Sequence, residues 1–219
     1  MSSSPQRSGA DVITLPLVVA RKQRIADDVY LFELVRADRQ DLPVFEAGAH
    51  ITVLTPNGLT RRYSLCNAPQ ERGRYVIAVK REAGGQGGSV SLTDGVSEGD
   101  VLPLCGQPRN DFPLHPQASS YLLIAGGIGI TPLLAMVHAL HARAASFRLI
   151  YLSRSAQSAP FLGELRSAAL ADHVQVHHTR GGGGRGAAQK RLRVGQAAGR
   201  GREWRGPPRG GQRAGGSTG

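Results

Sequence analysis

Cysteine is nearly missing from this chain. Cys66 and Cys105 are the only thiols in 219 residues. Two thiols exclude a disulfide framework, a zinc site of four thiolates and an iron–sulfur cluster held by four cysteines. Tryptophan occurs once. No apolar run approaches the roughly 20 residues needed to span a bilayer. The polar segment from Met1 to Asp11 lacks the apolar stretch of a signal peptide. These absences predict a cytoplasmic protein. Acidic residues are also scarce, 16 against 27 Lys and Arg, which gives a net charge of +11 and an isoelectric point near 10.7. Such an excess ordinarily points to nucleic acid, but its position argues otherwise.

The excess sits at one end. Residues 180–219 hold 14 Gly, nine Arg, five Ala and two Pro, with Glu203 as the single acid and a net charge of +9. Residues 1–179 carry about +2, an ordinary enzyme surface. Past Arg180 neither period 2 nor period 3.6 persists, and Trp204 is the only aromatic. The stretch is expected to be disordered, because it holds too little apolar surface to offset the entropy of ordering. Gly, Arg, Ala and Pro share codons that begin with two G/C bases, so a GC-rich gene read out of frame gives this composition. That is the leading reading of the tail. An Arg/Gly arm that binds RNA is the alternative, favoured by Arg180-Gly181-Gly182 and Arg209-Gly210-Gly211 but lacking interleaved Phe or Tyr.

The body divides in two. Residues 12–112 read as all-β: Val29–Leu34 and Ile51–Leu54 are β-rich runs, the latter closed by the turn Pro56-Asn57-Gly58. Arg74–Lys80 alternates with Tyr75, Ile77 and Val79 on one side. Gly and Pro interrupt every 8–12 residues or so, the spacing of a sandwich or small barrel. From Tyr121 the pattern changes. Tyr121–Ala125 is a continuous apolar run that fits a strand buried on both faces. A helix follows over about 131–143, with Thr131 as N-cap and Pro132 at the first helical position. Leu133, Leu134, Val137, His138 and Leu140 form its apolar stripe. A strand over Phe147–Leu152, a helix over Ala159–Ala169 and a strand over Val174–His177 complete a βαβαβ half of a parallel sheet.

Three short segments carry candidate chemistry. Arg61-Arg62-Tyr63-Ser64 ends a barrel strand and offers a charge for a phosphate, a face for a planar ring and a hydroxyl for a ring heteroatom. Taken alone, such a string is usually an ordinary strand. Gly84–Ser89, after Val79-Lys80-Arg81, precedes a short helical stretch, Val90 to Asp94, and its glycines leave backbone N–H groups free for a phosphate. A flexible hairpin loop reads the same way. Gly126-Gly127-Ile128-Gly129-Ile130-Thr131-Pro132 follows the buried strand and opens a helix, the context of a dinucleotide turn, with spacing GGxGxTP rather than GxGxxG. A purely structural βα turn is the alternative there.

In their order, RxYS, glycine loop with serine, then GGxGxTP, these segments resemble the ferredoxin–NADP reductase superfamily. The strings RRYSLCNAP, RYVIAVKRE, GGQGGSVS and LLIAGGIGITPLLAM resemble its phthalate dioxygenase reductase and vanillate demethylase reductase branch, over about residues 10–179. The resemblance implies an antiparallel Greek-key β-barrel for FMN over 10–114. It implies an incomplete doubly wound parallel α/β nicotinamide domain over 117–179, with 180–219 as the Gly/Arg-rich tail. It further implies an FMN-dependent NADH oxidoreductase that feeds the oxygenase component of an aromatic-ring Rieske oxygenase or demethylase, in a monomer with no membrane or nucleic-acid partner. By the same implication Arg61 and Ser89 contact the FMN phosphate beside Gly87 and Gly88. Tyr63, Ser64 and the Val79-Lys80 backbone line the ring and ribityl chain. Gly126, Gly127, Gly129 and Thr131 receive the nicotinamide nucleotide, and Ser153 and Arg154 lie near the adenosine ribose. No acidic residue ends that strand, so the choice of NADH over NADPH rests on the resemblance alone. No metal ligand set and no certain catalytic residue is identified. Two of the family's features are absent: the Cys-Gly-Pro motif that closes the nicotinamide domain, and the four cysteines of its [2Fe–2S] domain. A stand-alone flavin reductase or diaphorase is therefore the second enzymatic reading.

Overall fold

A computed structural model describes residues 14–179; the readings of the tail fall outside them. Six antiparallel strands come first: β1 (Thr14–Ala26), β2 (Val29–Arg36), β3 (His50–Leu54), β4 (Thr60–Ser64), β5 (Tyr75–Lys80) and β6 (Val101–Cys105). They lie in the order β4-β3-β6-β1-β2-β5, a Greek-key path. The sheet curls until its outer strands nearly meet. Leu65, just past β4, bridges Ile77 on β5, and the Cys66 N–H donates to the Val76 carbonyl at 2.8 Å. That short seam makes the sheet barrel-like without a continuous closing ladder.

Strand alternation explains the barrel core. Leu17, Val19, Phe32, Leu34, Ile51, Val53, Tyr75, Ile77, Val79, Leu102 and Leu104 converge there at about zero exposure. Tyr75 also satisfies its hydroxyl, donating to the Pro43 carbonyl at 2.5 Å. The other side of β5 is buried too, because Val76 and Ala78 pack into a second core with the following domain. Between β5 and β6 runs a short helix, α1 (Gly88–Gly95), anchored by the fully buried Leu92.

Three parallel strands follow, in the order β7-β8-β9: β7 (Ser120–Gly126), β8 (Ser146–Ser153) and β9 (Val174–His178). Helix α2 (Ile130–Ala142) connects β7 to β8. It is apolar nearly all round because it is wedged between this sheet and the barrel. Leu133, Leu134, Ala135, Met136 and Val137 share one core with Val29, Ala47, Cys66, Val76 and Ala78 from the barrel side. The stripe residue His138 is instead partly exposed, 2.8 Å from a Glu164 carboxylate oxygen.

Three expectations are corrected. β7 is not buried on both faces: Leu123 and Ala125 face the core, but Leu122 and Ile124 remain 58% and 59% exposed. Helix α2 and the barrel cover one face, and no described element covers the other. Thr131 is not the N-cap. A 3₁₀ turn, Gly127–Gly129, runs into α2 so that Gly129 caps it, and the Thr131 hydroxyl donates back to the Ile128 carbonyl at 3.0 Å. Pro132 still costs no hydrogen bond, since the first four helical N–H groups have no intrahelical acceptor. The helix expected over Ala159–Ala169 shrinks to one turn, α3 (Leu162–Leu165). Hydrogen bonds between Ser155 and Ser158 hold the preceding chain in a turn, and Phe161 sits at φ 65°. Such local side-chain bonds compete with helix formation.

Candidate functional site

The predicted residues fall into three places. The first is the N-terminus of α1. Gly87 caps it at φ 83°, with no side-chain cap, so its first N–H groups lack a side-chain acceptor. Arg61, on the facing strand β4, lies directly over this end: a Cβ on Gly88 would fall 2.8 Å from the Arg61 Nε. The guanidinium donates to the Thr60 carbonyl and to Gln86 Oε1, both within 2.8 Å. Ser89 closes the loop by accepting the Glu82 N–H at 3.0 Å. One cation, a helix end and a loop of four glycines around Gln86 converge, the elements of a phosphate cradle. The structure brings Arg61, Gly87, Gly88 and Ser89 together at this helix end.

The second place is the wall beside that cradle. Tyr63 sits two residues after Arg61 on the same face of β4, partly buried against the barrel core. Burial pushes its phenol pKa up, with the Arg61 charge opposing. Ser64 belongs to the other face of the strand. It lines a pocket of about 190 Å³ with His50, Arg62, Asp111, Phe112 and the α2 residue Pro132. Gly48 is required there, because a Cβ would meet the Phe112 carbonyl oxygen at 2.1 Å. Val79 is fully buried in the barrel core, which leaves only its backbone for a ligand.

The third place is a cleft of about 630 Å³ between barrel and parallel sheet. Lys80, Gly126, Gly127, Ser153 and Arg154 all line it. Gly126 and Gly127 have nothing within 4 Å of where a Cβ would stand, and Gly127 adopts φ 51°, so the backbone lies open to the cleft. Beneath the turn, the Tyr151 hydroxyl donates to the Gly127 carbonyl at 3.2 Å. Gly129 and Thr131 do not line the cleft: Gly129 caps α2 and Thr131 is buried. The Lys80 ammonium pairs with Glu82.

Sequence reasoning missed the opposite lip. Asp27 and Asp28 form the two-residue tip of the β1–β2 hairpin and line the cleft. The tip is pinned by the Asp27 N–H donating to the Gln157 carbonyl at 2.8 Å and by the Arg81 N–H donating to the Asp28 carbonyl at 2.7 Å. An Asp-Asp pair between two strands signals a turn; nothing local says what the turn faces. Ser155, Ser158 and Thr179 complete the far end. Among the described residues no cluster of His, Cys, Asp and Glu is arranged to hold a metal ion. Cys66 is fully buried, with its thiol pKa raised by that burial.

Comparison with known proteins places this geometry. A family model described as an oxidoreductase FAD-binding domain matches residues 16–109. Phthalate dioxygenase reductase of Burkholderia cepacia is 49% identical over 180 residues, covering 82% of this chain and 54% of that protein. Vanillate O-demethylase oxidoreductase of Pseudomonas putida is 46% identical over 160 residues, covering 73% of this chain and 50% of that one. The solved structure of phthalate dioxygenase reductase superposes with a TM-score of 0.75 at 50% identity, over 78% of this chain and 53% of its own. The chain thus spans about half the length of the relatives it matches. By sequence and by fold, residues 16–109 are an oxidoreductase FAD-binding domain, in a chain strongly homologous to phthalate dioxygenase reductase and vanillate O-demethylase oxidoreductase.

Proposed function

We propose that this protein is an FMN-dependent NADH oxidoreductase serving the oxygenase component of an aromatic-ring oxygenase or demethylase. The observation that carries it is the cradle formed by Arg61 over Gly88 at the uncapped N-terminus of α1. Arg61, the α1 N–H groups and Ser89 hold the FMN phosphate, with Arg61 releasing Gln86 to do so. Tyr63 and the Val79-Lys80 backbone line the ring and ribityl chain, and Ser64, whose side chain faces the other side of β4, reaches the ring only through its backbone. FMN, when bound, converts two-electron input from a hydride donor into single-electron output. In the cleft, Gly126 and Gly127 let a pyrophosphate approach the backbone, Gly129 and Thr131 set the start of α2, and Ser153 and Arg154 meet the adenosine ribose. The flavin domain spans 10–114 and the nicotinamide domain 117–179. A 630 Å³ cleft is a reasonable berth for a nicotinamide nucleotide.

The reductase relatives are named for dioxygenase and demethylase systems, which supports an oxygenase as electron acceptor. A second reading rests on the described residues alone, which hold flavin and nicotinamide elements: flavin reduction delivered to small acceptors. One experiment separates the two. The purified chain is expected to be yellow, to release FMN on denaturation, and to oxidise NADH with ferricyanide faster than with cytochrome c, and with an oxygenase slowest of all. Recovery of FAD, or of colourless protein that takes up no flavin, overturns the flavin assignment. Efficient oxygenase turnover by this chain alone overturns that order of acceptors.

A further inference from the structure

At the far end of the cleft, Ser153 closes β8 and His178 closes the neighbouring strand β9, paired in register. Ser153 is 6% exposed and lines the cleft. Its Oγ stands 2.6 Å from His178 Nδ1 and 3.2 Å from the Ser155 carbonyl oxygen. His178 Nε2 is sealed and has no partner among the described residues. The hydroxyl carries one hydrogen, and the Ser155 carbonyl can only accept. Both contacts are satisfied when Ser153 donates to Ser155 and His178 donates from Nδ1 to Ser153. The Ser153 oxygen then has one lone pair left and no hydrogen to offer, so it faces the cleft as an acceptor.

We infer that His178 is a positioning residue that fixes Ser153 as a hydrogen-bond acceptor, selecting a nucleotide with a free ribose hydroxyl over one with a 2′-phosphate. The inference rests on the proposal that the cleft receives the adenosine end of a nicotinamide nucleotide. A ribose hydroxyl donates to such an oxygen; an ionised phosphate has nothing to donate. Asp27 and Asp28 on the opposite lip push in the same direction. Arg154 on the same strand end pulls the other way, so the selectivity is moderate. Serine with its histidine does here what a strand-ending carboxylate does in other dinucleotide folds.

The test is calorimetric binding of AMP and of 2′-phospho-AMP to the flavin-loaded full chain, in the wild type, His178→Ala, His178→Asn and Ser153→Ala. Asn at 178 keeps an N–H donor near the Nδ1 position. Expected is a preference of about tenfold for AMP in the wild type, the loss of one hydrogen bond to a charged or polar partner. It falls to about threefold or less in His178→Ala and Ser153→Ala, and recovers in His178→Asn, with the flavin spectrum unchanged throughout. AMP binding with a selectivity unaltered by His178→Ala overturns the role of His178 alone. A wild-type preference for the 2′-phosphate also overturns it. Failure of both nucleotides to bind the yellow protein overturns the cleft assignment beneath it.

Discussion

The two sheets of this protein solve burial differently. The antiparallel sheet curls on itself, so nearly every inward residue finds partners within residues 14–105, and Tyr75, Phe32 and Leu104 reach full burial. Among the described residues, the three-stranded parallel sheet has only one covered face. Leu123, Ala125, Leu149 and Tyr151 are buried against α2 and the barrel, while Leu122, Ile124 and Leu152 on the reverse are 58%, 59% and 39% exposed. A curled antiparallel sheet builds its own inside, whereas an open parallel sheet depends on elements laid over both faces. The arrangement of Arg61 over the start of α1 belongs to the first kind of structure. The cleft stands on the edge of the second, against the barrel.

The largest expected effect tests the self-sufficient side. Tyr75→Ala removes a fully buried ring, its edge contact with Phe45 at 5.8 Å between centroids and its hydrogen bond to Pro43. We expect a loss of about 3–5 kcal/mol in denaturant unfolding, with flavin released at the same denaturant concentration. An equal loss from Ile124→Ala would erase the contrast between the sheets.

A smaller effect is expected at the cradle. Arg61→Ala should weaken FMN binding by about 1.5–3 kcal/mol, the range for a charge-assisted hydrogen bond, while the unfolding midpoint of flavin-free protein stays near wild type. Gly88→Ala should act in the same direction, since the new Cβ falls 2.8 Å from the Arg61 Nε and displaces the guanidinium. Flavin titration by fluorescence quenching reads both. Unchanged affinity in Arg61→Ala would remove the phosphate from this helix end.

What could be read from the sequence follows the same division. The barrel strands announced themselves by period 2, as in Tyr75, Ile77 and Val79, because alternation records a sheet with an inside and an outside. The second burial of Val76 and Ala78 did not, since it depends on α2 from a distant segment. β1 was hidden by its register shifts between Val19 and Arg21 and between Arg24 and Ala26, which break the alternation on which strand reading depends. The run Tyr121–Ala125 gave the strand correctly but not its uncovered face. An apolar strand is written the same way whether or not a neighbour arrives to cover it. The glycines of 84–88 and of 126–129 were legible as loops opening helices. The hairpin tip Asp27–Asp28 and His178 were not, because their place at the cleft is set by how the barrel and sheet meet.

The uncovered face supplies a prediction of small thermodynamic and larger colloidal effect. Ile124→Ser on the solvent side of β7 should change unfolding free energy by no more than about 0.5 kcal/mol, as surface substitutions do. It should also reduce light scattering at high protein concentration, because an apolar edge strand invites association. A loss of several kcal/mol would mean that this face is covered in solution.

The smallest effect concerns the ion pair that ties α1 to the end of β5. Arg81 meets Asp94 in a two-pronged contact at 2.7–3.1 Å. The guanidinium holds the Asp94 carboxyl down at about 2, against an ordinary value of 3.8. A folded-state pKa below the unfolded one stabilises the fold wherever the unfolded carboxylate is ionised, and that contribution disappears as protons bind the folded form. The stabilisation is therefore complete above about pH 4–5 and fades toward pH 2, the interval between the two values. Both partners lie at the surface, and salt screens such pairs, so the contribution is modest even at neutral pH. Asp94→Asn should lower thermal stability slightly at pH 7, and the difference from wild type should fade as the pH falls through about 2 and shrink in high salt. It should leave FMN affinity nearly unchanged, because the pair grips the C-terminal turn of α1 and not the end that faces Arg61. A marked loss of flavin in Asp94→Asn would show that the cradle depends on how the whole helix is held, and the barrel would then be less self-sufficient than its core implies.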